Sequence, residues 1–423
     1  MLSAASAIAG DETLFDWHAQ TTYARQFKPA IQSPYQGVNS LRRAAETSYT
    51  FTGTLFLGLR LASGTELYFN PEAVRANPFS GLHGLGGFAN GEFQRGAGAT
   101  LKAYRARLFL RHAWNLSGAE EQQESEQNQV PIRYSAERIV LTAGNLSVLD
   151  VFDALDYSRD ARTQFMNWTS LTYGAWDYPA DARGYTWGAA IEYITPGWQA
   201  RAGRFLVPVE SNGLRLDRRI AQRYGDVVEF ELPYKLAGLP GIARALWFHN
   251  RVQAGAFSDA IALGAAMAAT PDLTLVRRPQ SKVGFGLGTQ IEITKAVGAY
   301  ARAGWSDGKT ETFMFTEIDR SFSAGALVKG DGWARPGDSI GIAAYLNGLS
   351  RSHRDYLAAG GLGFFLGDGR LSYSGERILE TFYSLGVAKG TAISLGYQRV
   401  TNPGYNRDRG PANFLGLRLH AEI

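Results

Sequence analysis

The chain of 423 residues contains no cysteine. That excludes a disulfide framework and any thiolate metal site, and an oxidising compartment would find nothing in it to crosslink. Long apolar runs are missing too. The longest candidate, Ala260 to Ala269, is rich in Ala and Gly and falls short of the roughly 18 residues that a membrane helix needs, so a helical membrane protein is excluded. Histidine is scarce: His18, His83, His112, His249, His353 and His420 are the full set, and no two sit at ligand spacing on one element. Charge of a single sign is lacking as well. The net charge is +4, with Lys and Arg interleaved among Asp and Glu, which leaves no nucleic-acid footprint and no expected nucleic-acid partner.

What the chain does have is aromatic residues at 12% and 49 glycines, a mixture that favours many short strands and turns over helices. Period-two alternation supports this. From Glu46 to Leu61, Tyr49, Phe51, Leu55, Leu57, Leu59 and Leu61 share one parity, against Ser48, Thr50, Thr52, Thr54 and Arg60, with Phe56 out of place. From Tyr104 to Asn115, Tyr104, Ala106, Leu108, Leu110 and Trp114 share a face, with His112 its one polar group, opposite Arg105, Arg107 and Arg111. Tyr185, Trp187, Ala189, Ile191 and Tyr193 repeat the pattern opposite Thr186, Gly188, Ala190 and Glu192. Such strands have one apolar and one polar side.

A soluble sandwich would bury the apolar side against a second sheet, whereas a membrane barrel turns it to lipid. Aromatic residues at both ends of the Tyr104 to Trp114 face lie about 33 Å apart along a strand, or roughly 25 Å in height once tilted, which matches two girdles bounding the hydrocarbon. Connections also alternate in length. Brief ones occur at residues 62–64, 195–197, 294–296 and 388–390, and extended ones before Leu101 and at 148–183, 254–280 and 401–410. In order they give about sixteen strands of an all-β transmembrane antiparallel barrel, with short periplasmic turns and long extracellular loops. Length forces no second domain, so residues 11–423 read as one barrel, and the small, apolar residues 1–10 read as the remnant of an export signal. Ser117 to Tyr134 spoils the parity, being acidic and Gln-rich where a short turn is due, and reads as a periplasmic insertion. The last strand, Asn413 to Ile423, alternates Leu415, Leu417, Leu419, Ala421 and Ile423 against Arg418, His420 and Glu422, as a closing strand should.

An enzyme would need a nucleophile with a partner. Gly304-Trp305-Ser306-Asp307-Gly308 matches G-x-S-x-G, but the nucleophile elbow requires a strand followed by a helix, and Lys309 to Phe315 reads as another strand. The expectation is therefore no catalysis and no cofactor. Arginine on the lipid face would cost about 2–4 kcal/mol near the midplane, so Arg105, Arg107 and Arg111 are expected to line the lumen. Glu192, Arg223, Glu229 and Glu231 are placed there too, giving a wall of both signs that suits neutral, hydroxyl-rich solutes more than ions. Within the long loop 148–183, the segment from Asp150 to Tyr178 is dense in polar and aromatic groups, among them Asp150, Asp153, Arg162, Gln164, Asn167, Trp168 and Asp177. Two placements are open for it: a lid packed on the outer rim, or a constriction folded into the lumen.

Several stretches point to a known family. They are Arg162 to Trp168, Ala175 to Asp181, Arg183 to Gly188, Gly304 to Thr312, Phe315 to Arg320, His353 to Ala358, Asn402-Pro403-Gly404-Tyr405 with Arg409-Gly410-Pro411, and Gly416 to Glu422. From about the second strand onward the sequence resembles the carbohydrate-selective (OprB-type) outer-membrane porins. The resemblance implies a sixteen-stranded barrel that passively admits monosaccharides such as glucose through an arginine- and carboxylate-lined constriction. Its implied partners are outer-membrane lipid, small sugars and the outer-membrane assembly machinery, as a monomer or trimer. One departure is Ile423, where such barrels often end in Phe. The alternative reading is a polysaccharide or oligosaccharide export barrel.

Overall fold

Sixteen strands, each antiparallel to the next, close into one barrel in the computed structural model, which describes residues 14–94 and 97–423. The expected signal remnant at 1–10 lies outside the described residues. The strands are β1 (Phe15–Lys28), β2 (Glu46–Ala62), β3 (Thr65–Asn77), β4 (Lys102–Gln123), β5 (Ile132–Leu146), β6 (Thr186–Ile194), β7 (Gln199–Phe205) and β8 (Tyr224–Leu236). There follow β9 (Leu239–Ala254), β10 (Arg278–Thr294), β11 (Val297–Ser306), β12 (Arg320–Lys329), β13 (Ser339–Gly348), β14 (Glu376–Ala388), β15 (Thr391–Thr401) and β16 (Ala412–Glu422). The closing pair β16 and β1 places Thr22 opposite His420 and Arg25 opposite Leu417, so the sheet has no free edge along its wall.

The connections sort by end. Residues 63–64, 237–238, 295–296 and 389–390 are tight turns at the end that also holds both ends of the barrel's chain path. Gly64 makes the first of them with φ +68°, and a Cβ there would sit 2.5 Å from the Ala113 carbonyl oxygen, so only glycine fits. At the opposite end lie eight longer loops: L1 (29–45), L2 (78–94 and 97–101), L3 (147–185), L4 (206–223), L5 (255–277), L6 (307–319), L7 (349–375) and L8 (402–411). Short turns mark the periplasmic end of such barrels and long loops the extracellular end.

Burial follows the alternation. In β2, Ser48, Thr50, Thr52 and Thr54 are buried toward the lumen, while Tyr49, Phe51, Leu55 and Leu57 face outward; Phe56 points inward. In β16, Leu415, Leu417 and Leu419 are exposed outward and Arg418 is buried. Exposed leucines all round the wall would be a liability in water and are what a bilayer requires. His112 does face outward, satisfied by Thr65 Oγ1 at 2.7 Å.

Two expectations fail in β4. Pairing with β3 slips so that Asn70 faces Arg107 and Pro71 faces Arg105, leaving Ala106 unpaired. This bulge inverts the alternation. Tyr104 therefore points inward, donating its hydroxyl to Glu72, and is no member of an outer girdle. Arg105 points outward, its guanidinium 5.1 Å from the Trp187 ring centroid. It sits three residues from the strand's outer end, where the lipid penalty falls to about 0–1 kcal/mol. Tyr185 is also internal, since it precedes β6 and is 9% exposed.

Ser117 to Tyr134 lies at the periplasmic end, as expected, and forms an ordered hairpin. β3 stops pairing at Thr65 opposite His112, but β4 and β5 continue as a hairpin to Gln123 opposite Ile132. The tip of this hairpin folds back across the periplasmic mouth. Val130 is 1% exposed and donates its amide to the Tyr68 hydroxyl at 3.1 Å, and Asn128 accepts from Arg111 at 3.1 Å. Ser125 meets His18 of β1 at 2.8 Å, and Gln127 reaches Glu422 of β16 at 3.1 Å. The Tyr134 hydroxyl donates to Glu66, so the strap is latched from inside the barrel.

Candidate permeation constriction

L3 lies inside the barrel, against lumenal side chains that satisfy its backbone. Glu380 of β14 accepts from the Met166 and Asn167 amides at 2.6 and 3.2 Å. Arg418 of β16 donates to the carbonyls of Ala161, Gln164 and Thr163 at 2.8, 2.7 and 3.0 Å, and Glu229 of β8 accepts from the Asp153 amide at 2.8 Å. A buried irregular segment is tolerable only with such partners. Glycines make room for it: a Cβ on Gly286 of β10 would lie 2.6 Å from the Tyr173 ring. L2 runs alongside, its Gly86 and Gly87 amides held by Glu376 at 3.1 and 2.8 Å.

Between these loops and the β2 to β4 wall lies a cleft of about 160 Å³. Arg162 from L3 crosses it, donating to Glu72 at 2.9 Å, to Glu92 of L2 at 3.0 Å and to Thr54 at 3.1 Å. Arg107 of β4 forms a two-point pair with Asp150 at 2.7 Å each and stacks over the Tyr185 ring at 5.1 Å. Arg183 pairs with Asp181 at 2.6 Å and lies 4.9 Å from the Tyr104 ring centroid. Two-point pairing and ring stacking fix guanidinium planes that would otherwise sample many rotamers. On the far side, Trp168, Tyr178, Phe315 and Phe365 line the same cleft, with Trp168 stacked on Phe315 at 5.6 Å. The site thus presents fixed donors and acceptors opposite an aromatic wall.

Toward the periplasm the wall carries a ladder of alternating charge. Arg201 bonds Glu192 at 2.8 Å, Glu229 at 2.8 Å and Glu231 at 3.1 Å, and Arg244 holds Glu231 at 2.8 Å. Arg111 lies 3.7 Å from Glu66, next to the strap.

Arg107, Arg111, Asp150, Arg162, Trp168, Glu192, Glu229 and Glu231 therefore share one lumen. Other candidates do not line it. Asp153 is fully enclosed by Arg302 at 3.0 Å and Thr172 at 2.7 Å. Asp177 is buried on Lys282 at 3.1 Å and the Phe313 and Met314 amides. Asn167 caps the short helix α1 (Trp168–Leu171) and bonds Gln398 at 3.0 Å, and Gln164 folds onto its own loop at Asp156 O. These four pin L3 to its place. Arg223 precedes β8 and reaches Gln253 at 2.9 Å, at the outer rim above the lumenal ladder. Glu72, Glu92, Tyr104, Arg183 and Tyr185 escaped the sequence reading. Glu66, Asn70 and Glu72 share a parity in β3 that could have flagged Glu72. Ser306 ends β11 and is followed by L6, which contains no helix, so the nucleophile elbow is absent there.

The outer loops are clamped together by His353 on the L7 helix α2 (Arg351–Ala358), which meets Asp319 of L6 at 2.9 Å and stacks on Phe257 of L5 at 4.3 Å. Burial alone would raise the Asp319 carboxyl, but His353, Lys282 and the Ser350 amide outweigh it and hold it down at about 2.

Known proteins bear on this geometry in two ways. Residues 38–422 match the family described as the carbohydrate-selective porin, OprB family. The high-pH structure of Pseudomonas putida OprB superposes with a TM-score of 0.69 at 15% identity, covering 97% of this chain and 94% of that one. The outer-membrane channel DcaP of Acinetobacter baumannii gives 0.51 at 9% identity, covering 98% and 100%. At such identities the likeness speaks for the fold alone. No curated protein sequence matches the chain. The family match spans nearly all of a closed sixteen-stranded wall with a loop-built constriction, which marks a channel of the bacterial outer membrane: the chain belongs to the carbohydrate-selective porin, OprB family.

Proposed function

We propose that the chain passively admits neutral monosaccharides such as glucose to the periplasm, selecting them at the Arg162 cleft. The observation that carries this is the internal neutralisation of the site. Three guanidiniums face Glu72, Glu92, Asp150 and Asp181 within hydrogen-bonding distance, so an ion meets no ring of single sign, while a sugar meets N–H edges, carboxylate oxygens and an aromatic wall for its C–H face. The cleft's 160 Å³ suits one small ring.

Swelling of liposomes carrying the full chain tests it. Glucose is expected to enter faster than a sugar acid of the same size and faster than disaccharides; equal rates for glucose and the charged analogue would overturn the sugar assignment. An export barrel needs a wide lumen, and L2 and L3 occupy this one.

A further inference from the structure

Among the described residues, the outward face of the closed wall carries arginine at one end only. Four stack on ring faces near the outer strand ends: Arg75 over Tyr49 at 5.5 Å, Arg105 over Trp187 at 5.1 Å, Arg204 over Tyr224 at 3.9 Å and Arg320 over Trp305 at 4.9 Å. Four more, Arg25, Arg251, Arg377 and Arg399, are exposed on outward positions of β1, β9, β14 and β15 within three residues of the outer end. Among the described residues, Asp226 is the sole outward carboxylate at that level, and it is spent on Arg204 at 2.7 and 2.8 Å. At the periplasmic end of the closed wall the outward positions of the strands hold Trp17, Trp114, Tyr193 and leucines, with no arginine or lysine among the described residues; Arg133 lies past that wall, on the β4–β5 hairpin.

A belt that served only to anchor the barrel between two interfaces would be found at both of them, as aromatic girdles are. Placement at the outer interface alone requires a difference between the leaflets, and eight guanidiniums against one carboxylate require that difference to be negative charge. The densest arc runs across the closing seam. Arg377 faces Thr401 while Arg399 faces Leu379 on the adjacent strand, so the two are diagonal neighbours; Arg25 and Arg75 flank Tyr49 from β1 and β3. Guanidinium pairs at that spacing match the oxygens of a phosphate group, which two forks can hold together.

We propose that this belt binds the phosphate-bearing headgroups of the lipid in the outer leaflet, with the seam arc of Arg377, Arg399, Arg25 and Arg75 as its tightest part. The sugar pathway plays no part in it, because these side chains point away from the lumen.

The full chain in detergent is titrated with lipid A, with chemically dephosphorylated lipid A and with inorganic phosphate, and bound lipid is read by native mass spectrometry. Lipid A is expected to be retained and the dephosphorylated lipid lost. The variant Arg25→Gln/Arg75→Gln/Arg377→Gln/Arg399→Gln should weaken retention about tenfold or more, with glucose swelling unchanged. Equal retention of the dephosphorylated lipid, or equal retention by the variant, overturns the proposal; inorganic phosphate binding as tightly as lipid A would make this a free-anion site and overturn it too. Should the fourfold variant fail to fold, the pair Arg377→Gln/Arg399→Gln gives the same reading, and Arg377→Lys/Arg399→Lys should recover part of the binding.

Discussion

Replacing Arg162 with methionine is the most searching test of the constriction. The side chain is 12% exposed, Glu72 is fully enclosed and Glu92 is 12% exposed, so the substitution strands two carboxylates in a low-dielectric cleft. Breaking a buried pair from one side costs about 3–5 kcal/mol. Glu72 keeps hydroxyl donors from Thr54 and Tyr104, which places the expected cost near the lower bound, about 3 kcal/mol. Glu380, Arg418 and Glu229 still hold the rest of L3, so the loss falls on the loop tip. A shift of that size changes the population of a displaced tip by about a hundredfold. Ion selectivity in planar bilayers is the direct readout: two unpaired carboxylates should turn the channel toward cations, with glucose swelling altered in parallel. Adding Glu72→Gln to Arg162→Met should restore part of the original selectivity, a coupling of about 1–3 kcal/mol. Unchanged selectivity and unchanged swelling in Arg162→Met would refute the placement of the filter.

Other outcomes follow from separate parts of the molecule. Gly286→Val should push the Tyr173 ring off the β10 wall and change single-channel conductance without unfolding the barrel, checked by heat-modifiable mobility on gels. Replacing residues 119–133 by a short turn should open the periplasmic mouth and let disaccharides swell liposomes faster; unchanged rates would show that the strap does not limit passage. The L6–L7 clamp should weaken as pH falls from about 4 toward 2, because a carboxyl held down in the folded state gives stability that is present above its unfolded value and lost on protonation. For Asp319 this amounts to about 2 kcal/mol, measurable as pepsin cleavage of L7 that Asp319→Asn renders independent of pH. Arg107→Ala, which frees Asp150 and uncovers Tyr185, should slow glucose entry more than it affects barrel stability.

Much of the wall was legible because a barrel strand writes its two environments at every second residue. β2, β6 and β16 each show that alternation, and the turn at Ser63-Gly64 shows its glycine. Arg105 was misplaced because one unpaired residue, Ala106, inverts the parity, and Tyr104-Arg105-Ala106-Arg107 reads the same with or without a bulge. The L3 residues posed a different difficulty. Their polarity marked a demanding environment, but Asp153 and Asp177 meet that demand by facing cations on the wall, and a loop sequence carries no periodicity to tell wall from pore. The order of the acidic hairpin stayed hidden for a related reason: its exposed glutamates mask the alternate Val130, Ile132 and Tyr134 that seat its tip inside.

The anchoring of L3 has a bearing on assembly. The loop is emitted after β5, yet the side chains that hold its backbone belong to β8, β14 and β16, and the last of these, Arg418, lies on the closing strand. A half-built sheet can therefore have walls but an unseated L3. The step that seals the seam between first and last strands also brings in the last of the side chains that seat L3, so closing the wall and fixing the loop within it are one event.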